Sequence, residues 1–134
     1  MIVEACQLFS TWGEEWAVLE RERLRQRVLH ALEAAVRLLQ RDGRTGEAVL
    51  MASAVVAIDP LRESAQRCLV EAHLAAGDRP SALVAYASFR DIALRELGVS
   101  PSRRLTGLLA QSAELIISVS SGEGPMPTSV PSCR

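Results

Sequence analysis

Lysine is absent from this chain: all fifteen basic residues are arginine, and with alanine and leucine as the commonest residues this reads as the bias of a GC-rich gene. Neither sign of charge is in excess. Fifteen basic residues stand against sixteen acidic ones, for a formal net charge of -1, which excludes a polybasic arm for a phosphate backbone or membrane surface and an acidic tail alike. Aromatic residues make up 4%, too few for a β-sandwich or barrel, whose strands lean on aromatic and β-branched side chains. Cysteine is scarce and scattered. Cys6, Cys68 and Cys133 are odd in number and show no CxxC spacing, so neither a disulfide framework nor a zinc site of that type is expected, and a reducing cytoplasm fits best. The longest apolar stretch, residues 49–58, is far below the roughly 18–20 residues that cross a bilayer. The opening MIVEACQLFS lacks a basic n-region and carries Glu4, against a signal peptide.

What is present is helical periodicity. At 134 residues and 49% apolar, the chain is long enough for one domain with a core. Residues 14–41 run without Gly or Pro, with Ala17, Leu24, Ala31 and Leu38 seven apart and Val28 and Ala35 between them, which predicts one long amphipathic helix. Inside it, ERERLRQR alternates acids and arginines at pairing distance, as a solvated face does. Asp42-Gly43 ends this helix. A second is expected over residues 46–58 with Ala48, Ala52 and Val55 inward, closed by Asp59-Pro60. A third spans residues 61–76 with Ala65, Cys68, Leu69 and Ala72, closed by Gly77. The fourth is expected to be capped by Asp78, to tolerate Pro80 in its first turn, and to reach Leu97 with Ala82, Tyr86, Phe89 and Ala93 inward. Gly98 stops it, and Ser100-Pro101 reads as cap and first position of a fifth helix carrying Leu105, Leu108, Leu109 and Leu115. Residues 118–134 hold ten Ser, Gly or Pro in seventeen and are expected to be a disordered tail, leaving residues 1–117 as the domain.

The most specific feature is self-similarity at 34 residues. Gly43 maps onto Gly77 and Ala48 onto Ala82; Ala35, Val36, Val49, Ala52 and Val55 map onto Leu69, Val70, Leu83, Tyr86 and Phe89. That period in helix-turn-helix units is the tetratricopeptide length. The expected fold is therefore all-α: about five helices in tetratricopeptide-like antiparallel pairs, forming a right-handed helical-repeat array. The repeat is divergent, with Thr45 and Arg79 where an aromatic would follow each turn glycine.

Together, Trp16 ahead of ERERLR, Asp59-Pro60-Leu61-Arg62-Glu63, the Gly77 turn followed by Ala82, Tyr86 and Arg90, and Glu96-Leu97-Gly98-Val99-Ser100-Pro101-Ser102 resemble the bacterial transcriptional activator domain. This module follows a winged-helix DNA-binding domain in actinobacterial antibiotic regulators. The resemblance covers about residues 11–109 and implies a cytoplasmic module of transcription regulation that supports dimerisation or activation. It also implies a truncated module: the winged helix and an opening helical hairpin that usually precede the tryptophan segment have no counterpart here, so no direct nucleic-acid binding is expected.

Candidate interaction residues follow from the array. Trp12 and Trp16, with Leu19, mark the face that the hairpin would cover; two exposed tryptophans on one helix suit an interface better than a free surface, and the alternative is a core closed by the chain's own first residues. On the first helices of the pairs, the non-core positions include His30, Glu33, Arg37, Gln40 and Arg41, then Ser64, Arg67 and Glu71. Arg37, Arg41 and Arg67 have the planar donors to hold an acidic or carboxylate-terminated peptide, the alternative being plain solvated surface. Arg62 and Glu63 are expected to tie their turn to a neighbouring helix. For catalysis little is available: Cys68 and His73 are about 140° apart around their helix, and His30 and His73 lack a carboxylate cluster. No catalytic, cofactor or metal site is expected. Partners are expected to be proteins: a second copy, the transcription machinery or a DNA-binding protein. The alternatives are a helical-repeat sensor of a small molecule or peptide, and a remnant fragment without independent activity.

Overall fold

Residue preferences and turn chemistry resolve the chain into α1 (Ile2–Arg41), α2 (Thr45–Ile58), α3 (Glu63–Ala75), α4 (Arg79–Leu97) and α5 (Arg103–Ser120). The structure is a computed structural model that describes the backbone of residues 2–120 and the side chains of residues 12–114. The tail expected at 118–134 lies outside the described residues from 121 onward, and 118–120 continue α5. The side chains of Cys6, Leu115 and Cys133 also lie outside them.

The turns after α1 and α3 are copies of each other. Backbone N–H groups of Asp42, Gly43 and Arg44 donate to the carbonyls of Leu38, Gln40 and Leu39; those of Ala76, Gly77 and Asp78 donate to Ala72, Leu74 and His73, each 34 positions on. Gly43 and Gly77 sit at φ +73° and +76°, the left-handed backbone that lets a helix end and its partner return within a few residues. Ala48 and Ala82, the small residues one turn into α2 and α4, are both fully buried. Asp78 caps α4 as expected, accepting from the Ser81 N–H at 3.0 Å.

α3 is the centre of the packing, touching α1, α2, α4 and α5. One side of it closes a core of Val36, Ala48, Ala52, Cys68, Leu69 and Ala72. The other closes a second core of Val70, Ala82, Phe89, Ala93, Leu105 and Leu109. Leu29, Val55 and Ala65 form a third cluster at the α1 side.

Three expectations need correction. α1 begins at Ile2 rather than near Glu14, because Gly13 alone costs a helix only about 1 kcal/mol relative to Ala and no proline precedes it. The seven-residue stripe on α1 is not its core face. Leu24, Val28 and Leu38 are 61%, 47% and 57% exposed, whereas Leu29 and Val36 are completely buried, with Leu32 and Leu39 packed beside the cores. Finally, α5 starts at Arg103, and its cap is Ser102 rather than Ser100: the Ser102 hydroxyl accepts from the Leu105 N–H at 3.4 Å. Glu63 fixes that entry by accepting from the Ser102 N–H at 3.1 Å and from its hydroxyl.

Candidate functional site

The residues Asp59-Pro60-Leu61-Arg62-Glu63 form a polar clasp, in which the side chains of Asp59, Arg62 and Glu63 all find partners. Arg25 of α1 reaches Asp59 at 3.5 Å and the Ile58 carbonyl at 3.1 Å. The Pro60 carbonyl accepts from buried Gln66 at 2.9 Å. Arg62 donates to Glu33 at 2.6 Å, to Gln26, and to His30 Nδ1 at 2.7 Å. Ser64 adds a hydroxyl donor to Glu33 at 2.7 Å. Glu33 is 3% exposed, and burial alone would raise its pKa. The hydrogen bonds from Arg62 and Ser64 and the Arg62 charge outweigh that and hold the carboxyl below its ordinary range. The clasp thus ties α1 to α3 through Arg62, and α3 to α5 through Glu63. These are cohesive contacts, as the sequence led us to expect of Arg62 and Glu63.

The six candidate interaction residues do not converge on one spot. Trp12 and Trp16 are 70% and 65% exposed on the first part of α1, beside Leu19 at 59%. Trp16 and Arg37 are 21 residues apart on the same helix, about 30 Å along it at 1.5 Å per residue. Arg37 and Arg41 are exposed, and among the described residues neither forms an ion pair. Arg67 pairs with Glu71 one turn along α3, at 3.7 Å. Its charge is therefore partly answered within its own helix, and of the three arginines considered for an acidic peptide only Arg37 and Arg41 remain without an ion pair among the described residues. His30 and Glu33, read as surface positions of the same helix, belong to the clasp.

Two open grooves flank these elements. One, of 830 Å³, runs between α1 and α2 past Leu32, Ala35, Leu38, Leu50 and Met51, with Arg44 and Glu47 at one end. The other, of 480 Å³, lies between α3 and α5 past Glu71, Leu74, Arg79 and Leu108. The first groove is an apolar feature that the sequence did not reveal; its signal was the seven-residue stripe on α1, read there only as the mark of an amphipathic helix.

Cys68 is 1% exposed; burial pushes its thiol pKa up, Glu33 and Glu71 adding to the rise while Arg37 and Arg67 oppose it. His73 faces Asp78 at 3.9 Å. Among the described residues, no group of three or more His, Cys, Asp or Glu stands together as metal ligands, and no helix is long and apolar enough to cross a membrane.

Helix pairs with the same turn bonds recurring 34 residues apart, held by a buried polar clasp, define an all-α helical-repeat domain. The family model of the bacterial transcriptional activator domain matches residues 5–111. The chain belongs to that family and is a module of transcriptional activation. The match begins and ends slightly beyond the residues that carry the resemblance. No curated protein matches the chain, and no solved structure does.

Proposed function

We propose that this chain is a non-catalytic, cytoplasmic interaction module that joins a bacterial transcriptional regulator to other protein: a second copy, the transcription machinery or a DNA-binding partner. The observation that carries this reading is the apolar surface of α1. Trp12, Trp16, Leu19, Leu24, Val28 and Leu38 are all between 47% and 70% exposed, on a helix whose opposite face already supplies Leu29 and Val36 to the core. Single exposed apolar residues are ordinary, whereas a band of them along one helix marks a contact surface. Arg37 and Arg41 lend it a polar border with donors for carboxylates.

Tethering tests the proposal. Fused to an unrelated sequence-specific DNA-binding domain, the full chain should raise transcription from a reporter carrying that domain's site. The Trp12→Ala/Trp16→Ala variant should lower the response while helicity by circular dichroism is retained. A reporter that does not respond to the tethered wild-type chain would overturn the reading.

A further inference from the structure

Resting on that interaction reading, we infer that the seam between α1 and α3 takes an acidic side chain from an extended partner peptide, held between Arg37 and Arg67, while an apolar side chain of the same peptide fills the α3–α5 groove. The seam begins as a ladder of polar contacts. Glu33 of α1 accepts from the Ser64 hydroxyl at the start of α3 at 2.7 Å. Because α2 turns back on α1 and α3 turns back on α2, α1 and α3 run in the same direction. Positions three, four and seven further along a helix return to one face. Arg37 and Gln40 therefore follow Glu33 toward α3, and Arg67 and Glu71 follow Ser64 toward α1. Both arginines stand close enough to the Cys68 thiol to oppose the rise of its pKa, one from each side of the seam.

Beyond its first rung the ladder is short of acceptors. Arg62 has Glu33, whereas Arg37 has no ion pair among the described residues and Arg67 has Glu71 of its own helix at 3.7 Å. The side-chain nitrogen of Gln40 is buried without a hydrogen-bond partner among those residues. Its counterpart one repeat on is Leu74, packed beside the second core, so the array accommodates an apolar side chain at this position. A carboxylate supplies what is missing. Its two oxygens take a planar guanidinium in bidentate fashion and keep lone pairs for the second arginine and for the Gln40 amide, whose last torsion turns at little cost. A single carboxylate fits between the arginines, whereas a strand of regularly spaced phosphates would meet Glu33 and Glu71, which border the same spot.

The second contact sets the spacing within the peptide. Glu71 and Leu74 hold on α3 the repeat positions that Arg37 and Gln40 hold on α1, and with Leu108 they line the 480 Å³ groove toward α5. Packed helices lie about 8–10 Å apart and an extended chain covers about 3.3 Å per residue, so the acidic and apolar residues stand about three positions apart.

Selection of displayed random peptides on the immobilised full chain tests the inference. Enriched sequences should share an Asp or Glu at that spacing from a Leu, Ile, Val or Phe, and Arg37→Glu should shift the acidic position to Lys or Arg. For a selected peptide, synthesised with a fluorescent label, Arg37→Ala should weaken binding about tenfold or more, the loss of one charged hydrogen-bonded contact. Asn in place of the peptide's acidic residue should weaken it likewise. Gln40→Leu separates a binding role from a structural one: it should raise the urea midpoint, by removing a buried unpaired amide, and at the same time weaken the peptide. Four results would each overturn the inference: no enrichment or enrichment without an acidic requirement, the same sequences selected by Arg37→Glu, undiminished binding by Gln40→Leu, or a phosphoserine peptide or DNA duplex bound in preference to the carboxylate peptide. A tethered chain that activates yet selects no such peptide would leave the interaction reading standing on the apolar surface of α1. Selection of the peptide by a chain that fails to activate would remove that reading and leave the site.

Discussion

At the scale of single residues, the Arg62–Glu33 contact decides more than its surface-like sequence suggests. Glu33 is 3% exposed, so removing its partner leaves a carboxylate that has lost its compensation rather than one that returns to water. Breaking such a pair costs about 3 kcal/mol or more, whatever the intact pair contributes net. Arg62→Ala should accordingly lower the urea midpoint at neutral pH far more than substitution of exposed Arg23, whose pair with Glu20 is solvated. The pH dependence has a definite sign. Because the folded pKa of Glu33 is depressed, its contribution is present above the unfolded carboxylate pKa and is lost as pH falls through the folded value. The stability gap between wild type and Glu33→Gln should narrow on acidification in parallel urea titrations; a gap independent of pH would contradict the assignment. Cys68 offers a second check. With its side chain buried and its pKa raised, a thiol reagent should label it only as fast as the chain opens, and in the Cys6→Ser/Cys133→Ser background labelling should accelerate sharply in urea.

At the scale of elements, the ends of helices were more legible than their faces. Gly43, Gly77, Gly98 and Asp78 announce themselves because a left-handed turn or a side-chain cap demands particular residue types locally. The faces of α1 were not legible in this way. It carries two apolar stripes of helical period, and nothing within the helix says which one meets α2 and α3. Packing decides: Leu29 and Val36 go inward, and the seven-residue stripe goes out. The cap of α5 was misplaced for a related reason, since Ser102 is selected by Glu63, 39 residues away. Ser102→Ala removes the hydroxyl at the helix entry and one donor to Glu63, and should cost about 1 kcal/mol. Glu63→Gln combined with Ser102→Ala should cost less than the sum of the two single changes, because they share one contact. Gly77→Ala tests the turn. Open space surrounds the added methyl, so the roughly 1–2 kcal/mol penalty expected from equilibrium unfolding is one of left-handed backbone alone.

At the scale of the whole molecule, the missing excess of positive charge acquires a spatial reason. The arginines of ERERLRQR look basic when isolated, yet Arg23 lies 2.9 Å from Glu20 and Arg25 lies 3.5 Å from both Glu22 and Asp59. Arg44, Arg90 and Arg95 likewise sit beside Glu47, Asp91 and Glu96. Acids are thus interleaved with arginines along the surface, and binding to duplex DNA depends on neutralising several phosphates at once and releasing their counterions. A strip of alternating sign presents each phosphate with a carboxylate near every guanidinium, which removes the long-range attraction that nonspecific binding requires. The chain by itself should not retard duplex DNA in a gel at about 150 mM salt, where even nonspecific binders with several phosphate contacts hold DNA at 10⁻⁴–10⁻⁶ M. Lowering the salt should produce at most weak, sequence-independent retention that disappears steeply as salt is restored. Retardation that discriminates one sequence from another at physiological salt would mean that some part of this surface reads base edges, and would displace protein contact as the basis of its role in activation.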